Sequence, residues 1–221
     1  MFVSFVDSLF FVKNMVQYLS DVFCPIENLE LLMNKKQSIY QKAKKAWSEG
    51  NNQLSFKLYK KCAKMKFTPA YFDLGYMYDD GIGTKVNKDK ALYWYKKSEK
   101  HGEHCHNNIA SIYAVYRNRD KEQYWYKKGI QRKDSSAMFN MAIFYREKNC
   151  MKKMQKWFKK SFLQDDGSAA YELARIYLSK VKIKKAIKYL KIAIEHQHIT
   201  LYEREKSQLY LKRIKKFKKS R

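Results

Sequence analysis

Turn-making residues are scarce in this chain. Glycine and proline number seven and two among 221 residues, about a third of the combined ~12% share of an ordinary chain. A β-sandwich or a loop-rich enzyme needs far more of them, and collagen-like and low-complexity classes fall by the same measure. Cysteine is sparse too: Cys24, Cys62, Cys105 and Cys150 show no CxxC spacing and make no disulfide framework. Long apolar runs are missing. The one strongly apolar stretch, residues 1–24, is interrupted by Asp7, Lys13 and Asp21, and its longest uncharged run falls short of the ~20 residues of a membrane span. Acids are in deficit, 21 against 47 lysines and arginines, for a net charge of +26. Hydrophobic residues still make up 45%, so the chain is no disordered polycation and has the side chains for a core. What survives is a helical protein with long stretches between breakers.

In the N-terminal stretch Phe2, Phe5, Leu9, Val12, Val16, Leu19 and Phe23 recur at three- and four-residue steps, on one helix face. Three readings stay open for residues 1–33: an apolar helix capping the fold, a degenerate export or anchor signal, or a mis-assigned start ahead of Met33. The residues carry one lysine against four acids, unlike the basic chain that follows. A break is expected near Cys24-Pro25, since proline disfavours helix at the residue before it. The expected location is cytoplasmic, with export or membrane association through residues 1–24 left open.

Self-comparison yields more than any single motif. A small residue followed by an apolar–small–x–apolar–Tyr block appears as Ala70 with Leu74-Gly75-Tyr76-Met77-Tyr78. It returns as Cys105 with Ile109-Ala110-Ser111-Ile112-Tyr113, as Ala137 with Met141-Ala142-Ile143-Phe144-Tyr145, and as Ala169 with Leu173-Ala174-Arg175-Ile176-Tyr177. A second phrase interleaves: Trp94-Tyr95-Lys96-Lys97-Ser98, Trp125-Tyr126-Lys127-Lys128-Gly129 and Trp157-Phe158-Lys159-Lys160-Ser161, with looser copies at Leu58-Tyr59 and Tyr189-Leu190. Each phrase places apolar residues on one stripe of an amphipathic helix. The small slot of Gly75, Ala110, Ala142 and Ala174 lets two helices approach closely, and the large aromatic of the second phrase is expected to fill the gap, making Trp94, Trp125 and Trp157 structural. Neither helix buries its stripe alone, so pairs must stack on pairs.

The first full copy, from Ala70 through Leu74-Gly75, Gly81-Ile82-Gly83, Asp89 and Ala91-Leu92 to Trp94-Tyr95, resembles the Sel-one-like repeat, a relative of the tetratricopeptide repeat. The resemblance covers roughly residues 38–200, with one strong copy and four weaker ones that lose the Gly-x-Gly loop. It implies an all-α fold: an α-solenoid of about five stacked helix pairs in a right-handed, tetratricopeptide-like superhelix. The expected organisation is an N-terminal apolar helix over 1–33, a repeat domain over 34–200 and a basic C-terminal capping helix and tail over 201–221. The resemblance further implies adaptors and scaffolds with protein partners, and no catalytic residues. In that family the exposed positions of first helices face the concave side, which nominates Tyr71, Asp73, Tyr76, His106, Asn107, Ser111, Asn140 and Glu172 as groove residues.

His101, His104, Cys105 and His106 lie close enough in sequence to suggest zinc. The repeat register assigns Cys105 to a small buried slot, and Cys62 likewise to the slot of Ser98, Gly129, Ser161 and Ala193, so no metal site is expected. Gly81-Ile82-Gly83 lacks the third glycine of a dinucleotide loop and any GK[ST], and HExxH and GxSxG are absent. Neither a cofactor nor an enzymatic activity is expected.

The charge is unevenly spread. Residues 70–104 are neutral, while the segments 34–69 and 169–221 are strongly basic. Lys60-Lys61, Lys96-Lys97, Lys127-Lys128 and Lys159-Lys160 hold equivalent positions, and a solenoid would align them as a lysine ridge. Lys212, Arg213, Lys215, Lys216, Lys218 and Lys219 form a basic tail with Ile214 and Phe217 interleaved. The charge reads as a lysine-rich dialect of the repeat, as a surface for an acidic protein partner, or as a footprint for nucleic acid or anionic membrane. Lysine outnumbering arginine weakens the last. The expected function is a non-enzymatic adaptor holding a partner protein in its groove. An electrostatic binder of nucleic acid or membrane, and a neutralising partner of a toxin or effector, are the alternatives.

Overall fold

The structure is a computed structural model and describes residues 29–219, with side chains to 217. All its regular elements are helices: α1 over 29–48, α2 Asn52–Lys64, α3 Ala70–Asp80, α4 Lys88–Lys100, α5 His106–Val115, α6 Arg119–Gln131, α7 Ser135–Glu147, α8 Met151–Phe162, α9 Gly167–Ser179, α10 Ile183–Glu195 and α11 Leu201–Lys219. The chain forms two compact units, one ending at His101 and one beginning at Gly102. The first holds the hairpins α1/α2 and α3/α4. The second holds α5/α6, α7/α8 and α9/α10, with α11 packed on α10. In the second unit each hairpin packs on the next through α6 with α7 and α8 with α9.

The boundary at residue 33 falls inside the continuous helix α1, and the proposed break at Cys24-Pro25 and the apolar stripe of residues 2–23 lie outside the described residues. The shortage of glycine does not lengthen the helices: α2 to α10 run 10 to 13 residues and α11 runs 19. Instead the turns close on ordinary side chains. Lys66, Arg117, Lys133, Asn149, Asp165 and Val181 all sit in the left-handed region, with φ between 53 and 62°, where L-residues other than asparagine and aspartate pay about 1–2 kcal/mol. Their amides bond back to the preceding helix, as Lys133 N to the Ile130 carbonyl at 3.0 Å and Val181 N to Leu178 at 2.9 Å. Asparagine or aspartate caps begin five of the helices. Asn51, Asn87, Asn118, Asp134 and Asp166 each accept from the amide three residues on, satisfying a donor the helix leaves open.

The repeat slots are the core. Ala70, Cys105, Ala137 and Ala169 are fully buried, as are Leu74, Ile109 and Leu173 with Met141 nearly so. The gap between paired helices, however, is filled by the residue after the tryptophan: Tyr95, Tyr126, Phe158 and Leu190, with Tyr59 in the first hairpin. A β-carbon added at Gly75 would meet the Tyr95 ring at 2.8 Å. Helices α3 and α4 therefore approach so closely only because that position lacks a side chain. Trp94 and Trp157 are half-buried and Trp125 sits at the edge of the core. A residue pointing between hairpins covers their flank, while the gap inside a hairpin takes its neighbour 100° around the helix. Cys62 and Cys105 are buried packing residues, as their slots require.

Candidate functional site

In the second unit the N-terminal halves of α5, α7 and α9 line a groove with α11. It encloses about 580 Å³ and is bounded by Asn107, Ser135, Ser136, Phe139, Asn140, Asp165, Asp166, Gly167, Ser168, His198 and Glu203. Two of the nominated residues meet there: the Asn140 carboxamide donates to that of Asn107 at 2.8 Å. The bond ties α7 to α5 and orients both amides along one wall. At the far wall the Ser168 hydroxyl donates to Glu203 at 2.9 Å. Glu203 is itself pinned by a capping box, accepting from the Thr200 amide and hydroxyl while its own amide donates back to that hydroxyl. Asp166 caps α9 and also takes the Ser161 hydroxyl, so its charge is anchored at the groove floor. The groove thus offers amides, hydroxyls and a carboxylate, held at fixed positions by helix starts, with Phe139 as its apolar surface.

Glu172 lies on the same face of α9, bridging Arg175 at 2.9 Å and Arg146 at 3.5 Å. Beside it a second hollow of about 320 Å³ is lined by Tyr171, Arg175, Tyr202, Lys206 and Tyr210 together with Glu172 and Glu203. Ser111 faces α6, where its hydroxyl bonds Tyr126. Burial nevertheless pushes that phenol up to about 12. In the first unit Asp73 accepts from the Tyr40 hydroxyl at 2.9 Å. Tyr76 stacks on Trp47 at 5.8 Å, and its hydrogen bond to Asp80 raises its phenol above the usual value.

Tyr71 and His106 are not groove residues. Each is only 4% exposed, because the position after the leading small residue turns into the hairpin rather than away from it. Tyr71 packs on Trp94 and His101, and His106 on Trp125. Glu203, Ser168, Ser136 and Asp166 are the groove residues the sequence reading missed. Their signal was available in the aspartates that precede α7 and α9 and in Thr200-Leu201-Tyr202-Glu203 read as a capping box.

The paired lysines divide by position. In three of the four pairs the second lysine lies over an indole: Lys97 over Trp94 at 5.1 Å, Lys128 over Trp125 at 4.8 Å and Lys160 over Trp157 at 4.5 Å. Spacing i, i+3 brings ammonium and ring together on one helix face. In the first hairpin, which has no tryptophan at this place, Lys60 lies 6.0 Å from Phe56 and Lys61 is exposed. Lys96 is half-buried, while Lys127 and Lys159 are exposed. On α11 Lys212, Arg213, Lys215 and Lys216 are exposed; the side chains of Lys218 and Lys219 lie outside the described residues. Among the described residues no group of three or more His, Cys, Asp and Glu side chains is placed to hold a metal ion, and no helix is long and apolar enough to cross a membrane.

A family model for the Sel1 repeat matches residues 68–103 and 167–198, the copy that carries the Gly-x-Gly loop and the α9/α10 hairpin. No curated protein matches the chain in sequence. Among solved structures, a Sel1 repeat protein from Oxalobacter formigenes superposes with a TM-score of 0.63 at 17% identity, over 90% of this chain and 98% of that one. A protective antigen of uropathogenic Escherichia coli with an SLR fold gives 0.61 at 22% identity over 72% of this chain. This chain spans only 38% of that antigen's length. An immunity protein from Pseudomonas aeruginosa gives 0.51 at 16% identity, over 73% and 66% of the two chains. These likenesses place the fold in the all-α class of helical-repeat solenoids.

Proposed function

We propose that this chain, which matches the Sel1 repeat over residues 68–103 and 167–198, is a non-enzymatic adaptor holding a partner's peptide segment in the groove of its second unit. Repeats of this kind generally mediate protein–protein contacts. One observation carries the reading further. Asn107, Asn140, Ser168 and Glu203, drawn from four helices, converge on one polar groove and are held there by bonds between helices. Side chains fixed before binding lose little rotamer freedom on binding, and paired carboxamides present donors and acceptors that suit an extended backbone.

The test is affinity capture with the tagged full-length chain against its Ser136→Trp variant, at low and high salt with nuclease, read by mass spectrometry. Ser136 is exposed on the groove wall, so the indole fills the groove without disturbing the core. Partners retained at high salt by the wild type and lost by the variant support the groove. The same partners on both chains refute it.

A further inference from the structure

The second unit carries another built surface, on the opposite members of its hairpins. Helix α8 bears Lys152, Lys153, Lys156, Lys159 and Lys160 and no acid; α10 bears Lys184, Lys185, Lys188 and Lys191, with Glu195 only at its last residue. Among the described residues none of these nine lysines is in an ion pair. Both helices pack on α9. Where they converge lies a cleft of about 360 Å³ lined by Lys159, Phe162, Leu163, Tyr177, Lys185, Lys188 and Tyr189. Its floor is aromatic and its rim is cationic. Leu163, at the lip, is 75% exposed, although nothing in the hairpin turn requires a large apolar side chain there.

We propose that this cleft docks an acidic peptide segment anchored by one large apolar side chain. The apolar floor seats the anchor and excludes water around it, the arrangement that concentrates binding energy in one residue. Lys159, Lys185 and Lys188 face the flanking carboxylates, and the field of the whole α8/α10 face steers the segment in. The local acids do not neutralise that face. Asp165 bonds His196 at 3.1 Å, and Asp166 is occupied with the α9 cap and Ser161.

The geometry disfavours the other polyanions. Single-stranded nucleic acid needs open ring faces to stack on. Here Tyr177 and Tyr189 stack on each other at 5.4 Å and 19°, and Phe162 meets Tyr189 edge-on at 5.3 Å, leaving ring edges for the cleft. Neither α8 nor α10 contains an arginine, so the forked contacts to phosphate and base edges are missing.

The test uses the full-length chain and a fluorescein-labelled peptide, Glu-Glu-Asp-Phe-Asp-Glu-Glu, by anisotropy. Its counterpart with serine in place of phenylalanine, a short oligothymidylate and phosphatidylglycerol vesicles are the other arms. The phenylalanine peptide is expected to bind about tenfold or more tightly than the serine peptide, from burial of one aromatic side chain. Reversing two rim charges together, Lys159→Glu and Lys188→Glu, is expected to weaken it by about tenfold. The same reversal at Lys212 and Lys215 on α11, and the groove block Ser136→Trp, are expected to leave it unchanged. All these positions are exposed, and unaltered thermal melts confirm that each variant folds. Equal affinity for the two peptides, loss only with the α11 reversal, or tighter binding of oligothymidylate or vesicles would each overturn the proposal. The groove reading stands or falls separately, on the capture experiment.

Discussion

Gly83 is the position where the repeat's loop meets the preceding hairpin most closely. Its φ is +65°, and a β-carbon there would lie 2.1 Å from the Asn52 carbonyl oxygen and 2.6 Å from its carbon. Both are backbone atoms at the first turn of α2, which Asn51 holds by its cap to Leu54, so they cannot swing aside as a side-chain tip would. Gly83→Ala therefore meets two costs. The left-handed backbone costs alanine about 1–2 kcal/mol, and forcing packed backbone apart adds about 1–3 kcal/mol. Reduced freedom of the unfolded chain returns roughly 0.4–1 kcal/mol. The net is a destabilisation of about 1–5 kcal/mol, with mid-values near 3 kcal/mol. Gly50 is the control within the same unit: its φ is +76° with nothing within 4 Å of the added carbon, so Gly50→Ala carries the backbone cost alone, about 1 kcal/mol. In urea unfolding, with a slope of about 1–3 kcal/mol per molar, the Gly83 variant is expected to shift the midpoint down at least twice as far as the Gly50 variant. Equal shifts would refute the close approach as a source of stability and leave the Gly-x-Gly loop as a matter of dihedrals only.

Truncation ranks the two aromatics of the second phrase. Tyr95→Ala empties a fully buried site against Gly75 and is expected to cost about 3–5 kcal/mol. Trp94→Ala is expected to cost clearly less, and the reverse order in thermal or urea unfolding would contradict the packing described above. Glu122 is 3% exposed in α6, and burial holds its carboxyl above the usual carboxylate value, with the Arg119 pair opposing. The folded state then binds more protons than the unfolded state between the two values, so stability is greatest below the unfolded value and declines as pH rises to the folded one. Glu122→Gln is expected to flatten that decline, read as urea midpoints from about pH 4 to neutrality. A decline of the same steepness in the variant would assign it to other groups.

How far the structure could be read beforehand depended on the register. Leu74, Ile109, Met141 and Leu173 repeat in step, so the helices, their pairing and their buried slots follow directly. The resemblance nominated Tyr71 and His106 as exposed first-helix positions, but the place after the leading small residue is a buried one. The other copies hold Met138 and Ala170 at that place, both buried, and comparison down the column would have turned the two residues inward. The assignment of the gap to tryptophan failed for a related reason. The most conspicuous side chain marks the flank of the hairpin, and its plainer neighbour, Tyr95 or Phe158, fills the middle. The groove's far wall was hidden because Ser168 and Glu203 come from a helix start and from α11, and no periodic pattern links them. The cleft between α8 and α10 was beyond reach of the ridge description, since charge alone does not reveal an aromatic floor.

Turns that close through Lys66, Arg117, Lys133 and Val181 separate the repeat from its own punctuation. Between the two stretches that carry the Sel1 signature, residues 68–103 and 167–198, the hairpin architecture persists with neither a Gly-x-Gly loop nor a glycine in the turn after α5, α6 or α7. Phase there is kept by the buried columns of small and large side chains, while the turns need only return the chain within a few residues. The hairpins are thereby held together by what they bury, and their connections are free to vary in sequence so long as they turn the chain back.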